Sequence, residues 1–202
     1  MKKLYTTLAI ALLAISVFAQ TPNISMTTTT AIGSAFSFTI AATADNTTIQ
    51  VDWGNGSLID CPIASSSSVV SGTLAGETIK IYGIGISYLN VESRNITSLD
   101  VTKNTALNVL WCYGNKLTTL DVTKNAALTY LHCNNNKLTN LDVTNNTELI
   151  YLYCSSNKLT TLDVTKNTAI IILNCYDNSL SFSTLPIKQN SWQTYTYSHS
   201  FL

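Results

Sequence analysis

The chain has 202 residues, with 11 Lys and Arg against 11 Asp and Glu, so its formal net charge is zero and only 11% of its residues are charged. This balance excludes the basic footprint of a nucleic-acid-binding protein and a basic patch for a membrane surface. The length allows one or two small domains.

The N-terminal segment, residues 1–19, has the pattern of a secretory signal peptide. Basic residues at Met1–Lys3 precede a short apolar run over 4–18, and Val17–Ala19 has the small-residue spacing of a cleavage site before Gln20. We therefore expect an exported protein, secreted or at a cell surface. No Cys near the cleavage site offers a lipid anchor, and no later run is long and apolar enough to predict a transmembrane segment.

Residues 20–34 are rich in Thr and Ser and are interpreted as a leader. Residues 35–83 then alternate between apolar and polar positions, which predicts a small β-sandwich-like domain. The apolar positions at Phe36, Phe38 and Ile40 indicate one strand, and those at Ile49, Val51 and Trp53 indicate another. Further strands are predicted around 69–70 and 79–81.

The segment Val51–Gly56, with the sequence VDWGNG, resembles the WGDG-type turn of PKD-like β-sandwich domains. One interpretation places Trp53 in the core beside a hairpin turn. The other uses Asp52 and Asn55 to contact calcium or a sugar. Asn55 stands where that family usually has Asp, and the lost charge disfavours the metal interpretation.

A 21-residue period dominates the second half of the chain, which is typical of a solenoid whose units must stack to bury their apolar faces. Each unit contains two segments of the form L-x-x-L-x-φ-x-x-N, where φ is Cys in one segment and Val in the other. The columns of the period are Leu117, Leu138, Leu159 and Leu180; Asp100, Asp121, Asp142 and Asp163; and Cys112, Cys133, Cys154 and Cys175.

These segments resemble the leucine-rich-repeat family, and most closely its bacterial secreted members, over residues 84–182. The resemblance implies a mainly β solenoid of parallel strands with little helix, which binds partners on its concave strand face. Strand alternation agrees, because it points Leu110 and Cys112 into the coil and Trp111 and Tyr113 outward. The Asn column beginning at Asn115, and that beginning at Asn104, are expected to bond turn backbone.

The Cys column is predicted to consist of buried, inert thiols. Neighbouring inward Cβ atoms should lie about 4.8 Å apart, slightly beyond the roughly 3.5–4.5 Å of a disulfide. His132 and Cys133 face opposite sides of a strand and cannot share a metal ion, so we predict no metal site there. Cys61 is expected to be free as well.

The Asp column has two interpretations. Each Asp can form the following turn and be balanced by a Lys three residues later, as at Lys103, Lys124 and Lys166. Alternatively, the stacked carboxylates form a ladder for divalent cations.

The outward positions of the Cys-bearing strands vary from coil to coil and are rich in aromatic residues, whereas those of the opposite, Asp-bearing strands repeat Thr and Asp. Variation with Trp and Tyr indicates a recognition surface, although aromatic residues also favour strands for pairing across them. The predicted ligand-binding residues are Trp111, Tyr113, Tyr130, His132, Tyr151, Tyr153 and Tyr176.

No nucleophile motif, phosphate loop or cofactor motif is found, so we expect a protein that is not an enzyme and has no cofactor. The expected function is recognition of a protein or glycan, with no nucleic-acid partner. A structural spacer or an accessory module of a secreted enzyme are the alternatives. Residues 183–202 are predicted as a C-terminal cap or truncated tail, with a last strand within 191–197. Either the protein is secreted without attachment, or the chain is part of a longer one.

Overall fold

The computed structural model describes residues 21–181 and 193–196, which contain thirteen β-strands and no helix. No membrane-spanning helix is found within these residues. The signal peptide predicted at 1–19 and most of the predicted C-terminal cap lie outside them. The strands are β1 (Ile24–Thr28), β2 (Ala35–Ala42), β3 (Thr47–Asp52), β4 (Leu58–Ile63), β5 (Ser68–Thr73), β6 (Thr78–Tyr82), β7 (Ile86–Asn90), β8 (Ile96–Asp100), β9 (Val109–Trp111), β10 (Tyr130–His132), β11 (Tyr151–Tyr153), β12 (Ile172–Asn174) and β13 (Thr194–Thr196).

The strands form two sheets. The first is antiparallel, in the order β4-β3-β6-β1-β8, and the second has the order β13-β12-β11-β10-β9-β7-β2-β5. From β7 to β13 the second sheet is parallel, with equivalent residues of successive repeats in register. This confirms the predicted solenoid, and the last pair places a strand inside the alternating stretch at 191–197.

The N-terminal β region and the repeats share one sheet and one hydrophobic core. Strand β7 pairs with β2 on one side and with β9 on the other, so the sheet continues across the boundary predicted at 83/84. The inward columns of Leu, Val and Cys are almost fully buried in a cluster that also contains Phe38 and Trp53. Burying a side chain such as Leu110 contributes about 1.5–3 kcal/mol, so stacking stabilises units that could not fold alone.

The leader interpretation of residues 20–34 is wrong for part of that segment. Residues Ile24–Thr28 form β1, which pairs with β6 and with β8, the first Asp-bearing segment of the repeats. Ile24, Met26 and Thr28 are buried, because their alternation gives this Thr-rich strand an apolar face that the core covers.

The prediction of strands along the whole Asp-bearing side is also wrong. Only the first of these segments, β8, is a strand, and β1 is its partner. In later coils the Thr123 N–H donates to Asp121 Oδ1 within its own coil at 2.9 Å, and equivalent bonds follow at Asp142 and Asp163. The Thr102 N–H donates to Asp100 Oδ1 in the same way at the end of β8, so β8 differs from the later segments in having the antiparallel partner β1 and not in its turn.

Two columns of Asn, buried except for the partly buried Asn157, bond turn backbone as predicted, and these bonds also join neighbouring coils. Asn146 Nδ2 donates to the carbonyl oxygens of Val122 at 3.0 Å and Asn125 at 2.8 Å, both in the preceding coil. In the other column, Asn136 Nδ2 donates to the Cys112 carbonyl oxygen at 3.0 Å, and Asn136 Oδ1 accepts from the Leu117 N–H. The buried turns therefore find their hydrogen-bond partners in side chains.

The turn after β3 supports the structural interpretation of Asp52. Asp52 is buried, and its Oδ1 accepts from the N–H groups of Gly54, Asn55 and Gly56 at 2.8–3.0 Å. Trp53 is also buried and packs against Phe38, with ring centroids 5.8 Å apart. Asp52 therefore stabilises the turn, and Trp53 is part of the core.

Candidate functional site

The candidate site is the outward face of strands β7 and β9–β12, which we call the aromatic face. Parallel pairing in register aligns Tyr130 with Tyr151, and His132 with both Trp111 and Tyr153. The residues between them, such as Leu131, point into the core and are fully buried. Along each short strand, successive side chains therefore point alternately into the core and onto the surface.

Six of the seven predicted site residues form a continuous network of ring contacts. Tyr113 stacks on His132 with centroids 4.3 Å apart, and Tyr130 stacks on Tyr153 at 5.6 Å. Trp111 joins the two pairs, because it contacts Tyr130 at 5.9 Å and His132 at 6.4 Å. The further contacts are Tyr130–Tyr151 at 5.2 Å and His132–Tyr153 at 5.1 Å.

Tyr176, the seventh predicted residue, lies apart from this network. It is 41% exposed, and within the described part of the chain its ring touches none of the other six. Ser155, in the same column, is fully buried rather than outward-facing, and its N–H donates to Asn134 Oδ1 at 2.8 Å. The contacting rings of the site therefore lie on β7 and β9–β11.

Two residues that the sequence analysis missed extend the aromatic face at its N-terminal end. Tyr88 on β7 contacts Trp111 edge to face, with centroids 5.8 Å apart. Glu92 follows β7, and its Oε2 accepts from Asn90 Nδ2 at 3.2 Å. Both could have been found from the period, because Tyr88 stands 21 residues before Val109 and Glu92 stands 21 residues before Tyr113.

Partial burial of these rings changes their acid–base properties. Burial raises the pKa of Tyr130 to about 12, with nearby Tyr153 as a second cause. Burial also lowers the pKa of His132, against a smaller opposing effect of the Glu92 carboxylate. The aromatic face is therefore neutral near pH 7 except at Glu92. The buried Trp111 Nε1 has no hydrogen-bond acceptor within the described residues.

The other side of the coils carries the Asp column, which lines a groove of about 410 Å³ with Thr102, Thr123 and Leu120. In each coil one carboxylate oxygen is used by the turn. Asp121 Oδ1, for example, accepts from the Thr123 N–H at 2.9 Å and from the Thr123 hydroxyl at 2.6 Å, and these bonds hold the pKa of Asp121 below its usual value. Among the described residues no group of three or more His, Cys, Asp or Glu is arranged to hold a metal ion.

The Cys column is buried, as predicted. All five cysteines are free thiols, and only Cys61 is partly exposed. Burial raises the pKa of Cys133 to about 12, so the reactive thiolate is scarce at neutral pH. These thiols serve as small core residues.

No protein-family model matches the chain, and no curated protein matches it. Part of the chain is similar to solved structures. The functional domain of InlJ from Listeria monocytogenes, which includes a cysteine ladder, is 48% identical, with 47% of this chain and 21% of that chain covered and a TM-score of 0.46. A leucine-rich-repeat protein from Leptospira interrogans is 29% identical, with coverages of 48% and 27% and a TM-score of 0.46. An internalin, InlF from Listeria monocytogenes, is 25% identical, with coverages of 42% and 26% and a TM-score of 0.41.

The match spans only 21–27% of the length of each of these three proteins. The repeat motif of this chain and its in-register parallel strands stand independently of those matches. The motif and the β-solenoid that it builds are those of a leucine-rich-repeat protein.

Proposed function

We propose that this protein is a non-enzymatic recognition module, exported to the bacterial surface or beyond, that binds a partner macromolecule through its aromatic face. The observation that supports this proposal most strongly is the continuous ring network from Tyr88 to Tyr153 across four neighbouring strands. Its rings are partly exposed, and the sheet beneath fixes their positions.

A partner would gain more from this face than from the rest of the solenoid. Large, rigid aromatic rings bury much area at a low cost in side-chain entropy, and Trp and Tyr are enriched among the residues that dominate binding energies. The parallel sheet orders these rings before binding, which lowers the cost of association. The side chain at each outward position differs from one coil to the next, so the face can select one partner.

The spacer alternative makes a different prediction. Ring pairs on adjacent strands stabilise a sheet by themselves, at roughly 0.2–1 kcal/mol per pair. If stability were their whole role, removing the rings would lower the free energy of unfolding and leave no binding activity to lose. The test must therefore measure binding and stability on the same variants.

The experiment compares two double variants in a pull-down from the natural environment. Trp111→Ala with Tyr153→Ala removes the centre of the aromatic face. Thr119→Ala with Thr161→Ala changes two exposed residues on the Asp-bearing side and is the matched control. We expect the aromatic variant to lose the captured partner and to keep its circular dichroism spectrum. Equal capture by wild type and the aromatic variant, or loss only in the threonine variant, would contradict the proposal.

A further inference from the structure

The N-terminal corner of the aromatic face carries the Glu92 carboxylate, which forms no salt bridge with any Lys or Arg among the described residues. Hydrogen bonds from the Val91 N–H to the Trp111 carbonyl oxygen (2.9 Å) and from the Ser93 N–H to the Tyr113 carbonyl oxygen (3.0 Å) place Glu92 next to Tyr113 on the neighbouring coil. The Glu92 N–H donates to Asn90 Oδ1, and Glu92 Oε2 accepts from Asn90 Nδ2, which orients the side chain.

Tyr113 lies next to this carboxylate on the neighbouring coil, and other rings of the aromatic face follow. The Tyr113 hydroxyl interacts with Glu92 and has a raised pKa as a result, and the same negative charge acts on Tyr88 and His132. Tyr88 and His132 both meet Trp111 edge to face, at interplanar angles of 66° and 76°. The corner therefore presents differently oriented rings next to one negative charge.

The two cationic residues on the adjoining segments, Arg94 and Lys116, are hydrogen-bonded to groups other than Glu92. The Arg94 guanidinium donates from Nε to the Ser37 carbonyl oxygen at 2.6 Å, and Lys116 Nζ donates to the Thr29 hydroxyl at 2.9 Å. On the other side of β7, Thr39 of strand β2 pairs with Asn90, and Ser37, two residues earlier on β2, accepts hydrogen bonds from the Arg94 guanidinium. The one salt bridge among the described residues joins Lys80 to Asp52, far from this corner.

The rest of the aromatic face offers no compensating charge. Within the described residues, the outward columns of β7 and β9–β12 contain Glu92 and no other Asp, Glu, Lys or Arg. A carboxylate on the same face as several aromatic rings attracts an organic cation, because ring quadrupoles and the carboxylate act on the same positive charge.

We propose that this corner receives the side chain of an Arg or Lys presented by a partner polypeptide. The inference rests on the proposed function, since it assigns part of the same face, and it adds the chemistry of the partner. A neutral glycan would stack on the rings and could donate hydroxyl hydrogen bonds to Glu92 but would gain no charge pairing, and an acidic glycan would be repelled. A guanidinium or ammonium would pair with Glu92 while lying against Trp111 or Tyr113.

The test is an NMR titration of the ¹⁵N-labelled chain with the capped tripeptides Gly-Arg-Gly and Gly-Lys-Gly, with Gly-Gln-Gly as the neutral control and maltotriose as the glycan control. The Trp111 indole N–H is the reporter, assigned with Trp111→Phe. We expect saturable shifts at this indole and at residues 90–92 and 113 with the basic peptides. The glutamine peptide and maltotriose should bind at least about fivefold more weakly.

Glu92→Gln keeps the size of the side chain and removes its charge, and Glu148→Gln makes the same change at an exposed position elsewhere in the repeats. We expect Glu92→Gln to weaken binding of the arginine peptide about 1.5- to fivefold, the range of an exposed ion pair, and Glu148→Gln to leave it unchanged. Raising the salt concentration should have the same effect as Glu92→Gln.

Two results would overturn the inference: equal binding of the glutamine and arginine peptides, or equal affinity of wild type and Glu92→Gln. Preferential binding of maltotriose would also reject it and would favour a glycan partner. Each of these results leaves the recognition function of Trp111 and Tyr153 intact, because the pull-down with the double variants measures that function separately.

Discussion

Asn146 provides the sharpest test of how the coils are held together. Its side chain is fully buried, and its Nδ2 donates to the Val122 and Asn125 carbonyl oxygens of the preceding coil. Asn146→Ala removes both bonds. Each carbonyl keeps a second partner, because it also accepts a turn hydrogen bond, from the N–H of Asn125 and of Leu128 respectively. The loss is therefore two hydrogen bonds rather than two bare buried carbonyls.

At about 0.5–1.5 kcal/mol per hydrogen bond, Asn146→Ala should lower the free energy of unfolding by about 1–3 kcal/mol. The neighbouring Asn145 is the matched control. It is exposed, and its Nδ2 makes one bond to the Thr123 carbonyl oxygen at 3.2 Å. Asn145→Ala should cost less than about 0.5 kcal/mol, as is usual for surface substitutions.

The assay is equilibrium unfolding in urea followed by circular dichroism, with wild type and the two variants at the same pH. Asn146→Asp adds a second test, since it points a carboxylate oxygen at carbonyl oxygens and should destabilise more than Asn146→Ala. Equal midpoints for Asn145→Ala and Asn146→Ala would refute the view that buried amides connect the coils.

Other predictions concern the turn after β3, the buried thiols and the imidazole of the aromatic face. Gly54 has φ +108°, and an added Cβ would lie 2.5 Å from Gly76 N. Gly54→Ala should therefore lower the free energy of unfolding in urea by more than about 2 kcal/mol. Gly56→Ala should lower it less, because there is open space around Gly56. An aromatic disulfide reagent should label Cys61 in the native protein and all five thiols only after denaturation; fast native labelling of the repeat cysteines would contradict their burial. Because burial lowers the pKa of His132, the unfolded state binds the proton more readily, and stability should fall as the pH drops below about 6.5. His132→Gln should remove this slope in thermal melts at pH 5–7.

The repeat allowed the core to be predicted residue by residue. A 21-residue period combined with strand alternation assigns Leu110, Cys112 and their equivalents to the interior, and these side chains are buried. The buried Asn columns followed from the need to satisfy turn backbone. The sequence predicts the core correctly because each coil packs against equivalent neighbours, so the same pattern of buried positions applies in all four repeats.

The wrong predictions concern segments whose packing partners do not repeat from coil to coil. The Thr- and Ser-rich composition of residues 20–34 predicts a leader, whereas Ile24, Met26 and Thr28 alternate as in a strand. The Asp-bearing segments were predicted as strands because their pattern matches that of the Cys-bearing ones. Only the first of them has an antiparallel partner, β1, and a hydrophobic pattern does not show which segments are paired.

The candidate site was predicted in part. The aromatic columns of β9–β11 were found from their variation, whereas Tyr88 and Glu92 precede the first complete copy of the motif and were missed. Their place became clear from the pairing of β7 with β9, which extends the same columns by one strand. The ring contacts themselves depend on side-chain orientations that the period does not determine.

The most direct measurement of the central claim is the affinity of the captured partner for wild type, for Trp111→Ala with Tyr153→Ala, and for Thr119→Ala with Thr161→Ala, by biolayer interferometry. If the aromatic face is the binding surface, two residues worth about 2 kcal/mol each should together weaken binding roughly 1,000-fold, while the threonine variant stays within about threefold of wild type. An aromatic variant that folds and binds within about threefold of wild type would show that recognition does not use this face.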